Sequence, residues 1–556
     1  MRGVWRYFET VRYLQPVQIY GRLWFKLFRP WPDARPAPAC RVPTGRLITP
    51  VQRPAMMTGR CRFRFLSVER EIRDATDWDD PAVEALWRYH LHYFDDLTAE
   101  GALDRGAWHA EILQRWLAEN PMGEGVGWDP YPTSLRIVNW VKWLCWSAPE
   151  VSEEIADDVR QRMVSSLAVQ ARWLRKRLEH HLLGNHLIAN AKALVFAGCF
   201  FDGAEAKRWR HVGERLLRRE LGEQILPDGG HFERSPMYHA IILEDLLDIV
   251  SLNSGYPDVI DQELVKSIKG RLPEMVGFLR GVCHPDGEIG FFNDAAMGMA
   301  PAPVRLVEYA KRLGITWVEP KRGITYWPDT GFIRLHVGEA VMLMDLGSVG
   351  PSYLPGHAHA GTLSFELSLD GQRVIVNSGT SVYGKSPQRH VERSTAAHNT
   401  VEINGENSSE VWGGFRVARR ARVREVTTGR STGGGYFVEA WHDGYTRLPG
   451  QPVHRRRIEL SESAIQCVDT VVGKHRESTG YFHFHPAVRV VALSTASGFA
   501  KLKSSSELRW YLSSGKGEVV DHRWCSEFGR LESSKTIKVN IPCSDGCLFT
   551  LDFDTR

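Results

Sequence analysis

The chain of 556 residues is too long for one ordinary hydrophobic core, so two or three domains are expected. With 43% hydrophobic and 24% charged residues it reads as a globular protein, and a net charge of +4 is too small to argue for nucleic acid. No zinc-finger, RRM or KH pattern is present, and no apolar run reaches the roughly eighteen residues that a membrane-spanning helix needs.

The first thirty residues are basic and aromatic, with Arg22, Lys26 and Arg29 set among Tyr20, Trp24, Phe25 and Phe28. Arg6 and Arg12 interrupt the apolar positions, so the segment does not read as a secretory signal peptide, and the expected location is the cytoplasm. Two uses remain open for it: a peripheral contact with anionic lipid, or a helix packed on the main domain. Residues 31–75 are rich in Pro and Arg and poorly periodic, which predicts an irregular linker.

From about 79 to 315 the apolar spacing is helical. Val83, Leu86, Trp87, Leu91 and Phe94 open the pattern, and helices are predicted near 153–180, 185–201, 205–221, 235–253, 259–281 and 302–313. Short loops between successive helices imply antiparallel pairs, closed into a toroid or gathered in a bundle. Several of these loops carry polar residues. Trp128-Asp129-Pro130-Tyr131 and Arg136 sit at one helix start. Gly184-Asn185-His186 opens another helix, where Asn185 suits an N-cap and His186 shares a face with Asn190. Pro227-Asp228-Gly229-Gly230 is a turn that precedes His231, Glu233, Arg234 and Tyr238, and His284 to Asp294 form a further polar turn.

Near residue 320 the pattern changes to short strands, predicting an all-β second domain, most simply a sandwich. Phe332–Val337 and Ala340–Met344 form one hairpin candidate. Thr362 to Val376 forms another, turning at Asp370-Gly371. At its mouth lie His357 and His359. If the strand extends back that far, a period of two places both on one face, where they suit a metal or an acidic substrate group. Asn377 follows the return strand and His398 lies in Ala397-His398-Asn399-Thr400. Nineteen Trp and sixteen Tyr suit a sugar-stacking cleft, although core packing is the ordinary use of any one of them. Nine scattered cysteines give no disulfide framework, and Cys543 with Cys547 is a weak metal signal.

Gly184-Asn185-His186, Asp228-Gly229-Gly230 through Tyr238, His357-Ala358-His359 and Ala397-His398-Asn399-Thr400, in this order and spacing, resemble the heparinase II/III-like polysaccharide lyases. The similarity spans roughly residues 80–420 and is greatest to members found with bacterial surface-polysaccharide genes. It implies an α+β two-domain chain: an N-terminal segment and linker over 1–75, an (α/α) toroid over 76–320, and an antiparallel β-sandwich over 321–556. It also implies β-elimination at a uronic acid. Asn185 and His186 would bind the C5 carboxylate, Tyr238 would act as acid or base, and His357 would transfer a proton or contact the carboxylate. Tyr383 would match a second active-site tyrosine. Trp128, Tyr131, Arg136, His231, Glu233 and Arg234 are the expected substrate contacts. A structural Zn²⁺ would be held by His359, position 377 and His398. The expected partner is an acidic polysaccharide or oligosaccharide.

The chain departs from the family pattern at three carboxylates: Gly361 stands where HxHxD has Asp, Asn377 where the return strand has Asp, and Asn190 where an acid is expected after the GNH motif. Neutral groups at a cation site weaken metal binding. Two further readings follow: a uronate C5-epimerase of the same fold, or a catalytically altered glycan-binding or assembly protein.

Overall fold

The computed structural model describes residues 2–146, 157–504, 506–542 and 546–553. Cys543 therefore lies outside the described residues, as does the start of the helix expected near 153. Helices dominate up to Arg312 and strands from Gly323 onward. Two short helices, α1 (Arg2–Val11) and α2 (Pro16–Leu27), precede the helical half. The latter comprises α3 (Ala85–Leu91), α4 (Gly106–Glu119), α5 (Pro130–Trp146), α6 (Asp157–Lys176), α7 (Gly184–Phe200), α8 (Gly203–Gln224), α9 (Pro236–Gly255), α10 (Gln262–Gly281) and α11 (Pro303–Arg312). Helices α7 and α9 are buried nearly all round, as expected of the most central elements. Glycine lets α7 and α8 approach closely: a Cβ at Gly213 would sit 2.5 Å from the Ala191 carbonyl.

The linker expectation for 31–75 is corrected in part. Met57–Gly59, Arg62–Phe65 and Val68–Glu71 form a three-stranded antiparallel sheet whose Phe63 and Phe65 enter the core of the helical half. The alternation Arg-Phe-Arg-Phe is a period-two signal too short to stand out among prolines and arginines.

The β half contains an eight-stranded, a five-stranded and a four-stranded sheet with one shared apolar core. The predicted hairpins form as Phe332–Val337 with Ala340–Asp345 and as Phe365–Leu369 with Gln372–Ile375. Asp370 and Gly371 both take positive φ, the geometry of the tight hairpin turn. The polar face of Phe365–Leu369 is buried, because the loop after α10 packs on it. Glu366 accepts from the Phe291 backbone N–H and pairs with His284, which also bonds Ser368. That loop joins the two halves and sets the cleft between them. Among the described residues no helix is long and apolar enough to cross a membrane.

Candidate active site

The cleft has a volume of about 910 Å³ and is walled by both halves and by α1 and α2. Three segments carry the residues expected to act in it. The first is the start of α7. Leu183 and Gly184 both take positive φ, and a Cβ at Gly184 would lie 2.9 Å from the Glu233 carboxylate, so glycine is required there. Asn185 and His186 consequently face the cleft. The His186 Nδ1 pairs with Glu179 at 3.2 Å, and its ring packs 4.6 Å from that of Tyr131. Burial lowers the His186 pKa, but the Glu179 charge and hydrogen bond outweigh it and the net shift is upward. Asn190 is not at the cleft surface. It donates to Glu179 and to the Ser134 hydroxyl, and accepts from the Glu179 backbone N–H.

The second segment is the turn before α9. Asp228 accepts from the Thr330 N–H and hydroxyl, which pins the turn to the β half. Tyr238, in the first turn of α9, stacks on the His357 ring at 3.8 Å and 9°, and its hydroxyl lies 3.0 Å from that of Tyr383. Burial pushes both phenols well above the usual tyrosine range. For Tyr238 the neighbouring phenol and Asp294 add to the shift; for Tyr383 Asp294 adds and Arg389 opposes. Both hydroxyls are therefore protonated at rest.

The third segment is His357-Ala358-His359. It is irregular rather than a strand, so the expectation that both rings share a face fails. His357 turns to the cleft and His359 inward. The His357 Nδ1–H donates to the Glu233 carboxylate, which leaves the lone pair on Nε2. Burial would raise the Glu233 pKa, but its close contact and hydrogen bond with His357 hold it below the usual range. Asn293, at positive φ, ties the segments together: its amide donates to the Arg234 carbonyl and its oxygen accepts from the His359 N–H at 3.0 Å.

Several expected substrate contacts are corrected. Arg136 is fully buried. It donates to Gln170 and to the Gly127 carbonyl, and lies 4.1 Å over the Trp116 ring. Trp128 packs against Trp116 and Trp173 in the core. His231 is buried on Gln224, and Arg234 is spent on the carbonyls of Phe232, Asp329 and Thr330. Glu233 is buried, with its carboxylate bonded to His357. Of that group Tyr131 lines the cleft.

Of the residues expected to hold zinc, His359 and His398 converge, whereas Asn377 is engaged elsewhere. A zinc site needs free lone pairs converging on one point. His359 donates its Nε2–H to Asp294 at 2.7 Å and His398 donates its Nδ1–H to the Ser394 carbonyl at 2.7 Å, which leaves lone pairs on the facing ring nitrogens, His359 Nδ1 and His398 Nε2, 3.1 Å apart. The Asn377 amide donates to the Phe291 carbonyl while its oxygen accepts from the Asn399 N–H. A Cβ at Gly361 would lie 2.7 Å from the His398 ring, so no aspartate fits there without displacement. Among the described residues no group of three His, Cys, Asp or Glu side chains is arranged to hold a metal. Beyond His359 stands Arg389, paired with both Asp294 oxygens and 5.0 Å over the Tyr383 ring.

The sequence reading missed Glu179, the Arg389–Asp294 pair and the charged floor of the cleft. There Lys192 bonds Asp245 and Asp248, Lys142 bonds Asp248, and Arg53 bonds Glu244. Lys and Asp within otherwise apolar helices, as at Lys192, Asp245 and Asp248, were the available signal.

Both halves of the chain have counterparts among known proteins. Residues 100–311 match the family model described as heparinase II/III N-terminus, and residues 319–547 match heparinase II/III-like, C-terminal. A heparin-sulfate lyase of Bacteroides stercoris is 28% identical over 382 residues, covering 59% of this chain and 55% of that protein. The match thus spans about half the length of that relative. FtsZ-localized protein C of Caulobacter vibrioides is 23% identical over 473 residues, covering 81% of this chain and 77% of its own. A crystal structure of heparinase III superposes with a TM-score of 0.64 at 17% identity, covering 88% of this chain and 79% of that one, and so shares the fold.

Proposed function

The chain belongs to the heparinase II/III-like family, and from that premise we propose that it is a polysaccharide lyase acting on a uronate-containing acidic glycan of surface-polysaccharide metabolism, on a toroid-and-sandwich frame. The observation that carries the reading is the stack of Tyr238 on His357, with the Tyr383 hydroxyl 3.0 Å from that of Tyr238, in the same cleft as Asn185 and His186.

In this reading Asn185 and the cationic form of His186 bind the C5 carboxylate and acidify the adjacent C–H. His357, oriented by Glu233, takes the C5 proton on Nε2. The C–H electrons form the C4=C5 double bond as the C4–O4 bond breaks, and the departing O4 takes the Tyr238 phenolic proton. A phenol with a raised pKa suits the acid role better than the base role. Tyr383 donates to the transient Tyr238 phenolate until water returns the proton. No step requires a metal.

The test is ultraviolet absorbance of unsaturated uronates over a panel of uronic-acid polymers. Absorbance that grows with the parent protein and falls at least a hundredfold with Tyr238→Phe is expected, at unchanged thermal midpoint. Solvent deuterium incorporation without absorbance would replace the lyase reading by C5 epimerisation. Binding with neither signal would replace it by glycan binding alone.

A further inference from the structure

The two N-terminal helices present different chemistry on their two sides. Their inner side is part of the protein body and of the cleft. Tyr7 meets Trp412 edge-on at 4.7 Å, and the Trp412 indole donates to the Thr10 hydroxyl. Gln18 is buried and donates to the Tyr353 carbonyl, and Arg177 donates to the carbonyls of Phe25 and Phe28. These bonds reach both halves of the molecule, so the helices are held firmly. Thr10, Leu14 and Gln18 line the cleft wall.

The outer side is apolar and uncovered. On α2, Ile19, Leu23 and Leu27 recur every fourth residue, beside Tyr20 and Trp24. Leu23 is 61% exposed, Trp24 62% and Leu27 83%. On α1, Trp5 and Phe8 are more than half exposed and touch each other, their rings 5.4 Å apart. A contiguous apolar stripe this long is unusual on a surface that faces only water.

Charge selects the occupant. Residues 1–30 hold six Arg and Lys and one acid, Glu9, a net of +5, so the remaining residues together carry −1. Glu9 is buried and faces Arg12 at 3.0 Å, whereas Arg6, Arg22, Lys26 and Arg29 are exposed. A second copy of this chain would bring +5 onto +5, which opposes pairing. Aromatic and leucine side chains flanked by Arg and Lys on short helices match an anionic lipid surface: the rings enter the headgroup boundary and the cations meet the phosphates.

We propose that α1 and α2 dock this protein on an anionic membrane surface by their outer face. The same helices wall the cleft with their inner face, so docking holds the cleft beside the lipid.

The test is co-sedimentation of the full-length protein with vesicles of phosphatidylcholine alone and of phosphatidylcholine containing one-third phosphatidylglycerol. It needs no turnover, so its outcome is independent of the lyase reading. Binding to the anionic vesicles is expected, weakening as salt rises. Leu23→Glu with Trp24→Glu should abolish it. Lys26→Gln and Arg29→Gln should each weaken it about fivefold. All these positions are exposed, so the far-ultraviolet circular dichroism melt should not move. The proposal is overturned if the folded parent ignores anionic vesicles at low salt, or if the Leu23/Trp24 variant binds them as the parent does. It is also overturned if sedimentation equilibrium shows a dimer that this variant dissociates while neither form binds vesicles.

Discussion

Arg389 and Asp294 offer the sharpest test of how this site is held. Both side chains are fully buried, and one guanidinium–carboxylate contact measures 2.7 Å. At an effective dielectric of ~20, Coulomb's law gives an attraction of about 6 kcal/mol at that separation, before desolvation is subtracted. Arg389→Met removes the cation and leaves a buried carboxylate with His359 as its remaining ring partner. Stripping one partner from such a pair costs about 3–5 kcal/mol. The Gly414 carbonyl also loses its bond from the Arg389 Nε–H. Asp294→Asn added to Arg389→Met removes the stranded charge, so the double variant should recover about 2–3 kcal/mol relative to the sum of the two single losses. Urea unfolding followed by circular dichroism of the four proteins gives this coupling directly. Equal additivity would refute the claim that the pair acts as a unit. The same melts repeated with zinc test the neighbouring His359–His398 pair. Because two imidazoles without a third such ligand hold zinc weakly, zinc should leave the parent midpoint nearly unchanged, and a clear zinc-dependent rise would show that His359 and His398 hold the ion with a further ligand.

Glu233→Gln keeps the shape of the His357 partner but replaces the carboxylate by a group that can donate to Nδ1 and so move the ring proton to Nε2. Turnover should fall by about 10²–10⁴-fold with substrate binding retained; a loss under tenfold would remove Glu233 from its positioning role. Acid should destabilise the fold from below pH 6.5. Burial lowers the pKa of His90, His231 and His398 to about 4 and of His92 and His239 to about 3. For a folded pKa depressed below the unfolded one, a histidine's stabilising contribution is complete above the unfolded value and is lost as pH falls toward the folded one. A shift from 6.5 to about 4 removes about 2 kcal/mol by pH 5 for each such group. Thermal midpoints measured between pH 8 and 5 should therefore fall steadily, and a flat profile would contradict the burial of these rings as neutral species.

The sequence by itself determined the order of helices and strands, the turn at Asp370-Gly371, and the motifs that carry the site. These are local properties, set by periodicity, by positive-φ positions and by short polar turns. It also made Asn185, His186, Tyr238 and His357 legible as one group, through the order of their motifs. It did not show which polar residues reach the cleft. Arg136 and His231 stand in motifs as polar as Tyr131 does, yet both are buried, because orientation depends on which neighbouring element covers a face. The partnerships Glu233–His357 and Asp294–Arg389 join residues 124 and 95 positions apart, and no spacing rule reaches across such distances. The placement of the residues expected at a metal centre was likewise set by tertiary structure. Gly361 and Asn377 showed that carboxylates were missing, but only the fold brought the facing nitrogens of His359 and His398 to 3.1 Å and turned the Asn377 amide onto the Phe291 carbonyl.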